Sequence, residues 1–293
     1  MSASERIPAQ PDVTADEVLA RGELTVHGQI TDASNTVLYA TAELDGRSVA
    51  CVYKPVAGER PLWDFPEGTL AQREVAAYEV SRALGFGVVP PTVLREGPFG
   101  TGMCQLWVGD GPDAEAEGEG GPGTEGVGEP GGPGSFLALI DAREPEPGWK
   151  AVGFAEVGAG RTALLVHTDD ERLRRVATLD AVINNADRKG GRLLPLADGR
   201  LYGIDHGVTF HTENKLRTLL WGWAGEPLPE GIREALRALG GQLADEGPLY
   251  ARLRALITEE ECEALRSRTA ALVATGRFPA PGGKWPAIPW PLV

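Results

Sequence analysis

Apolar and polar positions alternate in twos through the first part of this chain and recur at helical spacing through much of the rest. Leu24 to Ile30, Val37 to Leu44 and Val49 to Lys54 alternate as strands with one buried face do. The polar run Asp32-Ala33-Ser34-Asn35-Thr36 predicts a turn between the first two of these strands. Asp45-Gly46 predicts a tight hairpin turn between the second and third. A short helix from Ala15 to Leu19 precedes them. Gly68 to Leu84 reads as a helix: Leu70, Val75, Tyr78, Ala83 and Leu84 give a rough apolar face, and Gly85 stands where a C-terminal stop belongs. Pro90 to Leu94 and Met103 to Val108 predict two further strands.

Later in the chain, Asp169 to Asn184 carries Leu173, Val176, Leu179, Val182 and Ile183 near helical spacing, with Thr168 or Asp169 as cap. Arg192 to Leu196 and Leu201 to Ile204 predict a hairpin around Asp198-Gly199. Helices follow near Pro229–Leu239 and Thr258–Thr275. Ser135 to Ile140 is a short apolar element, while Ala151-Val152 and Thr162 to His167 leave helix and strand open. The segment Phe278 to Val293, rich in Pro and Trp, predicts an extended strap over the surface. Strands followed by helices place the chain in the α+β class, with two lobes and a cleft between them. The divisions fall at a flexible N-terminus (1–20), a strand-rich N-lobe (21–108), an insert (109–134), a mainly helical C-lobe (135–277) and the tail (278–293).

Composition changes this picture in one place. Of the 26 residues from 109 to 134, 11 are Gly, and Pro and Glu supply much of the rest. Such a stretch buries too little apolar surface to offset its chain entropy and reads as a disordered acidic insert. It holds seven of the acids and no Lys or Arg, so the net charge of −14 falls to about −7 elsewhere. An acidic body argues against a broad nucleic-acid surface, where neutralising phosphates supplies the affinity, and mildly against docking on an anionic membrane; a local basic patch would override this average. No run of 18 apolar residues predicts a membrane span. Met1 to Arg6 lacks the basic-then-apolar pattern of a signal peptide. Cys51, Cys104 and Cys262, with no Cys-x-x-Cys, read as reduced thiols of a cytoplasmic protein without a stable membrane anchor. The oligomeric state stays open.

Chemistry concentrates in two segments. Asn184-Asn185-Ala186-Asp187-Arg188-Lys189 precedes the second hairpin, and Tyr202-Gly203-Ile204-Asp205-His206-Gly207 ends it. One carboxylate before a hairpin and a second in an Asp-x-Gly turn after it suit phosphoryl transfer: Asp187 to orient an acceptor hydroxyl, Asp205 to hold Mg²⁺ on ATP phosphates. Read apart from its setting, Asp187 is a loop residue and Asp205 caps a turn. Lys54, alone, reads as a strand-end lysine reaching solvent; with the carboxylates downstream it becomes the ammonium that holds α- and β-phosphates. Glu74, with Glu79 as competitor, would orient Lys54 by an ion pair. Ser34, Asn35 and Thr36 form either an ordinary polar turn or one that covers phosphates through backbone N–H groups. Gln105, Leu106, Trp107 and Val108 are either core strand or the backbone against which adenine sits. Asn184 and Asn185 are placed to tie down the loop. His27, His167, His206 and His211 lack zinc spacing, and no G-x-S-x-G or Cys/His signature supports a hydrolase.

These segments resemble the atypical kinases related to phosphatidylinositol 3- and 4-kinases, most of all their actinobacterial phosphatidylinositol-kinase-like relatives (the SCO-type family). Val52-Tyr53-Lys54-Pro55 resembles the phosphate-binding lysine strand. Arg73-Glu74-Val75-Ala76-Ala77-Tyr78, continuing to Leu84-Gly85-Phe86-Gly87-Val88-Val89-Pro90-Pro91-Thr92, is similar to the helix and strand of type II phosphatidylinositol 4-kinases. Asn185-Ala186-Asp187-Arg188 resembles their catalytic loop and Gly203-Ile204-Asp205-His206-Gly207 their metal turn. HipA-type kinases share the plan. The resemblance spans Gly28 to Phe210 and implies a bilobal protein-kinase-like fold.

There are departures. Arg192 stands where the family's loop carries a metal-binding Asn, and a guanidinium has no acceptor to offer a metal. Three consequences stay open: Asn184 or Asn185 substitutes, a single metal suffices, or transfer is slow. Lys189 follows Asp-Arg where lipid 3-kinases have His. His206 replaces a common Phe, a change expected to matter less. The cysteine-rich palmitoylation segment of type II lipid kinases is missing, so Lys189, Lys215 and Arg217 become candidates to engage an anionic small substrate or peptide. The expectation is an ATP- and Mg²⁺-dependent phosphotransferase acting on a hydroxyl of a lipid, protein or small molecule. The alternative is a nucleotide-binding pseudokinase with a regulatory or partner-binding role.

Overall fold

The computed structural model describes residues 13–30, 35–65, 69–109, 136–156, 160–244, 247–282 and 285–292. Apart from Gly109, the acidic insert lies outside these residues, and so does Ser34. Helix α1 (Ala15–Arg21) opens the described chain. A reciprocal capping box between Thr14 and Glu17 satisfies its first N–H groups. The sequence boundary at residue 20 would leave this helix outside the N-lobe. Instead its Val18 and Leu19 are fully buried with Leu38, Ala40, Ala42, Cys51, Tyr53 and Cys104. Burying each such side chain contributes about 1.5–3 kcal/mol, enough to fix a seven-residue helix that would not stand alone.

Strands β1 (Glu23–Gln29), β2 (Leu38–Leu44), β3 (Arg47–Pro55), β4 (Thr92–Gly97) and β5 (Gly100–Leu106) form one antiparallel sheet in the order β1-β2-β3-β5-β4. Alternation along β3 sends Cys51 and Tyr53 toward α1 and leaves Val52 and Lys54 on the other face. Cross-strand partners share a face, so Tyr39, Val52 and Gln105 line up across the sheet, with Lys54 beside Met103 in the next row. Helix α2 (Leu70–Ala83) starts with a Thr69–Gln72 capping box, and Glu59 accepts hydrogen bonds from the Leu70 and Ala71 N–H groups. It is buried on two sides: Ala71 and Val75 meet Met103, while Ala76, Ala77 and Val80 join the main core.

The second half combines helices with sheet, where the sequence reading expects a mainly helical lobe. Strands β6 (Leu137–Ile140), β7 (Trp149–Glu156) and β8 (Thr162–Thr168) form an antiparallel sheet in the order β6-β8-β7. Helix α3 (Glu171–Ile183) is capped by Asp170, whose carboxylate accepts from the Arg172 N–H, and not by Thr168 or Asp169. Thr168 is still in β8, and Asp169 accepts a bond from the Trp223 indole. Strands β9 (Leu193–Pro195) and β10 (Leu201–Gly203) make the expected hairpin. Helices α4 (Glu230–Gln242), α5 (Pro248–Arg254) and α6 (Glu259–Thr275) complete the core around Trp223 and Phe210.

His167 on β8 accepts a bond from the Gly222 N–H at 3.0 Å, donates to the Thr168 carbonyl at 2.9 Å and packs on Trp223 at 4.2 Å. A Cβ at Gly222 would come within 2.4 Å of the His167 ring, so the fit admits only glycine. The segment 285–292 crosses the surface. The Ala287 carbonyl accepts from Thr218 N–H and the Trp221 indole, and the Leu292 carbonyl accepts from Gly190 N–H. Among the described residues no helix is long and apolar enough to cross a membrane.

Candidate active site

Strand β3, helix α2 and the turn after β10 meet at one ionic cluster. The Lys54 ammonium donates to Glu74 Oε1 at 2.8 Å and lies 3.4 Å from Asp205 Oδ1. The other oxygen of Glu74 accepts the His206 backbone N–H at 2.8 Å. Glu74, nearly fully buried, thus ties the sheet lysine to the backbone of the Asp205 turn, and Glu79 does not compete: it pairs with Arg82 and Arg252. Asp205 holds a left-handed backbone, φ 61°, a conformation an aspartate adopts at some cost and one that aims its carboxylate back at Lys54. Arg192 Nε meets the second oxygen of Asp205 at 3.0 Å. Burial opposes charge on Lys54, but the Glu74 and Asp205 carboxylates outweigh it and hold the ammonium above its ordinary range. Burial likewise opposes charge on Asp205, and Lys54 and then Arg192 outweigh it, keeping the carboxyl well below the usual range.

The Asp187 loop follows α3, which ends on Asn184 in the left-handed conformation. Asn184 donates to the His211 and Glu213 carbonyls at 2.8 and 2.6 Å and accepts from Lys215 N–H at 3.0 Å. Asn185 donates to Asp180 Oδ1 at 2.9 Å and accepts from Asp187 N–H at 3.0 Å. Both asparagines tie down the loop, as the sequence suggests. Fully buried and committed to these bonds, neither replaces the missing metal-binding Asn. The Asp187 carboxylate is about one-third exposed, with Lys189 Nζ at 3.5 Å.

Arg188 holds the two loops in register. It donates to both oxygens of Asp180 at 2.9 Å, to the Ile204 carbonyl at 3.0 Å and to His206 Nε2 at 2.7 Å. Arginine offers only donors, so His206 Nε2 carries the lone pair and the ring is neutral. Burial and then the Arg188 charge push His206 well below its usual pKa, in agreement. Gly203 lies flat against this guanidinium, where a Cβ would stand 3.1 Å from Arg188 Nη2. His206, expected to matter less, is therefore one of the bonds that aligns Asp205 with the Asp187 loop. Asp180 escapes the sequence reading. Its signal is a single charged residue inside the apolar run Ala177 to Ile183, where a buried acid needs a partner.

Asn35 Oδ1 accepts from Arg60 N–H at 2.9 Å and Thr36 N–H donates to Gly58 at 3.2 Å, so these two dock on the segment after β3. Gln105 is buried, its amide on Thr92 at 2.9 Å. Leu106 N–H bonds to Pro91 and Trp107 N–H to Ala50, because the sheet continues through both. That leaves Val108, past the strand, as the residue of this group whose backbone makes no hydrogen bond among the described residues. The Trp107 ring still packs edge-on to Tyr39 at 5.3 Å, beside Val52 on the Lys54 face. Lys215 is unsuited to an incoming anion: it is buried, pairs with Asp64 at 3.2 Å and sits 4.4 Å from the Trp285 ring centre.

No family model matches the chain. Protein Rv2133c of Mycobacterium tuberculosis (strain ATCC 25618 / H37Rv) is 49% identical over 277 residues, 94% of this chain and 94% of that protein. The chain belongs to the family of Rv2133c. Among solved structures, the crystal structure of the Golgi casein kinase aligns with 89% of this Rv2133c-family chain and 74% of its own, at a TM-score of 0.45 and 13% identity. At that level the fold is read from the chain itself.

Proposed function

We propose that this Rv2133c-family protein is a phosphotransferase of bilobal kinase-like plan that uses ATP and Mg²⁺ and phosphorylates a hydroxyl. The observation that carries the reading is the bonded sequence Lys54–Glu74–His206 N–H beside Asp205, with the exposed Asp187 held in register by Arg188. Lys54, fixed by Glu74, neutralises the α- and β-phosphates. The face of Tyr39, Val52 and Trp107 offers an apolar and aromatic surface for the base. Asp187 accepts the hydrogen bond of the acceptor hydroxyl and takes its proton as the new O–P bond forms and the bond to the leaving ADP oxygen breaks.

The donor set fits magnesium, which binds through one or two carboxylates plus substrate phosphates: Asp205, 3.4 Å from Lys54, is such a carboxylate. Asp205 is the residue that would hold the ion, which when bound supplies positive charge against the phosphate oxygens. Transfer of label from γ-labelled ATP, with inositol lipid, protein or small-molecule acceptors in separate arms, tests the reading. Asp205→Ala is expected to fall to background; full transfer by that variant overturns the assignment. The Arg192–Asp205 pair favours a second reading, a pseudokinase that binds nucleotide and regulates a partner. ATP binding by wild type with no transfer in any arm would select it.

A further inference from the structure

Resting on the nucleotide reading of this site, the geometry points to a protein cation in the place of a metal ion. We propose that Arg192 supplies the second positive charge at Asp205, so that the nucleotide is held with a single divalent cation. Each oxygen of the Asp205 carboxylate already faces a protein cation, Lys54 on Oδ1 at 3.4 Å and Arg192 on Oδ2 at 3.0 Å. The root of Arg192 is fixed: its carbonyl accepts from Ile204 N–H at 3.0 Å and from Arg188 at 3.3 Å. Its side chain remains 44% exposed, open to exchange Asp205 for an incoming anion.

A two-cation site shares its ions between the turn carboxylate and an oxygen donor on the loop. Apart from Asp187, which takes the proton of the acceptor hydroxyl, this loop has none to give. Arg192 offers five N–H donors and no acceptor, and Asn184 and Asn185 are buried in bonds to Asp180, Lys215 and the carbonyls of His211 and Glu213. The planar guanidinium supplies one positive charge where that ion would bring two, and it binds phosphate through two parallel bonds.

The test counts Mn²⁺ bound per protein in the presence of a non-hydrolysable ATP analogue, by electron paramagnetic resonance of the free ion. Wild type and Arg192→Lys are expected to bind one. Arg192→Asn, which restores an oxygen donor, is expected to bind two. Arg192→Ala is expected to weaken the analogue by roughly 10- to 100-fold at limiting Mn²⁺, the effect of losing a charge-assisted hydrogen bond. Two Mn²⁺ in wild type, or an unchanged affinity in Arg192→Ala, overturns the proposal while leaving the phosphotransferase reading in place. Failure of wild type to bind the analogue at any Mn²⁺ level overturns both.

Discussion

Two arginines four residues apart along one loop each pair with an aspartate, at nearly equal distances and in different surroundings. Arg188 meets Asp180 at 2.9 Å with both side chains fully buried; Arg192 meets Asp205 at 3.0 Å with both partly exposed, 44% and 38%. The buried pair is fixed by further bonds to Asn185, His206 and the Ile204 carbonyl. Water screens the exposed pair and competes for it, so it adds little to stability and exchanges readily with a ligand. Separation alone does not distinguish frame from working surface. Burial and the number of committed partners do.

The sharpest way to break that contrast is to remove one buried partner. Arg188→Met strands the Asp180 carboxylate in the core and is expected to cost about 3–5 kcal/mol in chemical denaturation. Replacing Asp180 by Leu in the same protein should recover much of that loss. A single variant as stable as wild type would remove Arg188 from the frame.

His167 sharpens the same point through pH. Burial lowers its pKa from 6.5 to about 4. The unfolded chain takes up the proton first, so the contribution is complete above the ordinary pKa and falls as pH drops from about 6.5 toward 4. It changes no further once both states are protonated. The loss amounts to about 3 kcal/mol across that window. His167→Gln should flatten this part of the stability–pH curve, and an unaltered slope would contradict the assignment. Next in size is Glu74→Gln, whose amide cannot accept from both Lys54 and the His206 N–H. About 1–3 kcal/mol of stability should go, with a fall in nucleotide affinity in the same protein by calorimetry. The smallest effect belongs to Arg192→Ala, expected within about 1 kcal/mol of wild type by thermal unfolding. A loss as large as that of Arg188→Met would erase the distinction between the pairs.

Much of the N-terminal sheet was legible because its strands bury one face and alternate accordingly. Asp187 and Asp205 stood out by their places on either side of a hairpin, Lys54 by its strand end and Glu74 by the helix that follows, and the fold brings Lys54, Glu74 and Asp205 together. Strands β7 and β8 were less so: β7 has no fully buried residue, and β8 is a nearly unbroken apolar run whose period cannot separate strand from buried helix. Helix α5 is only seven residues and escaped notice, since its two buried leucines make no repeating stripe. The frame of Asp180, Arg188 and His206 was hidden for a different reason. Asp180 shows only as a lone charge in an apolar run, Arg188 and His206 look ordinary in their own segments, and only the fold brings the three side chains together.

The strap described above has a consequence for synthesis. The site draws on residues as early as Lys54, and the Leu292 carbonyl holds Gly190, two residues before Arg192. A ribosome adds about 5–20 residues per second, so the lysine leaves the tunnel on the order of ten seconds or more before the strap that braces the loop. A product halted short of Trp285 would carry every charged group of the cluster and lack the ring beside Lys215 and the carbonyl beneath Gly190. These two contacts form only once residues 285–292 have been made.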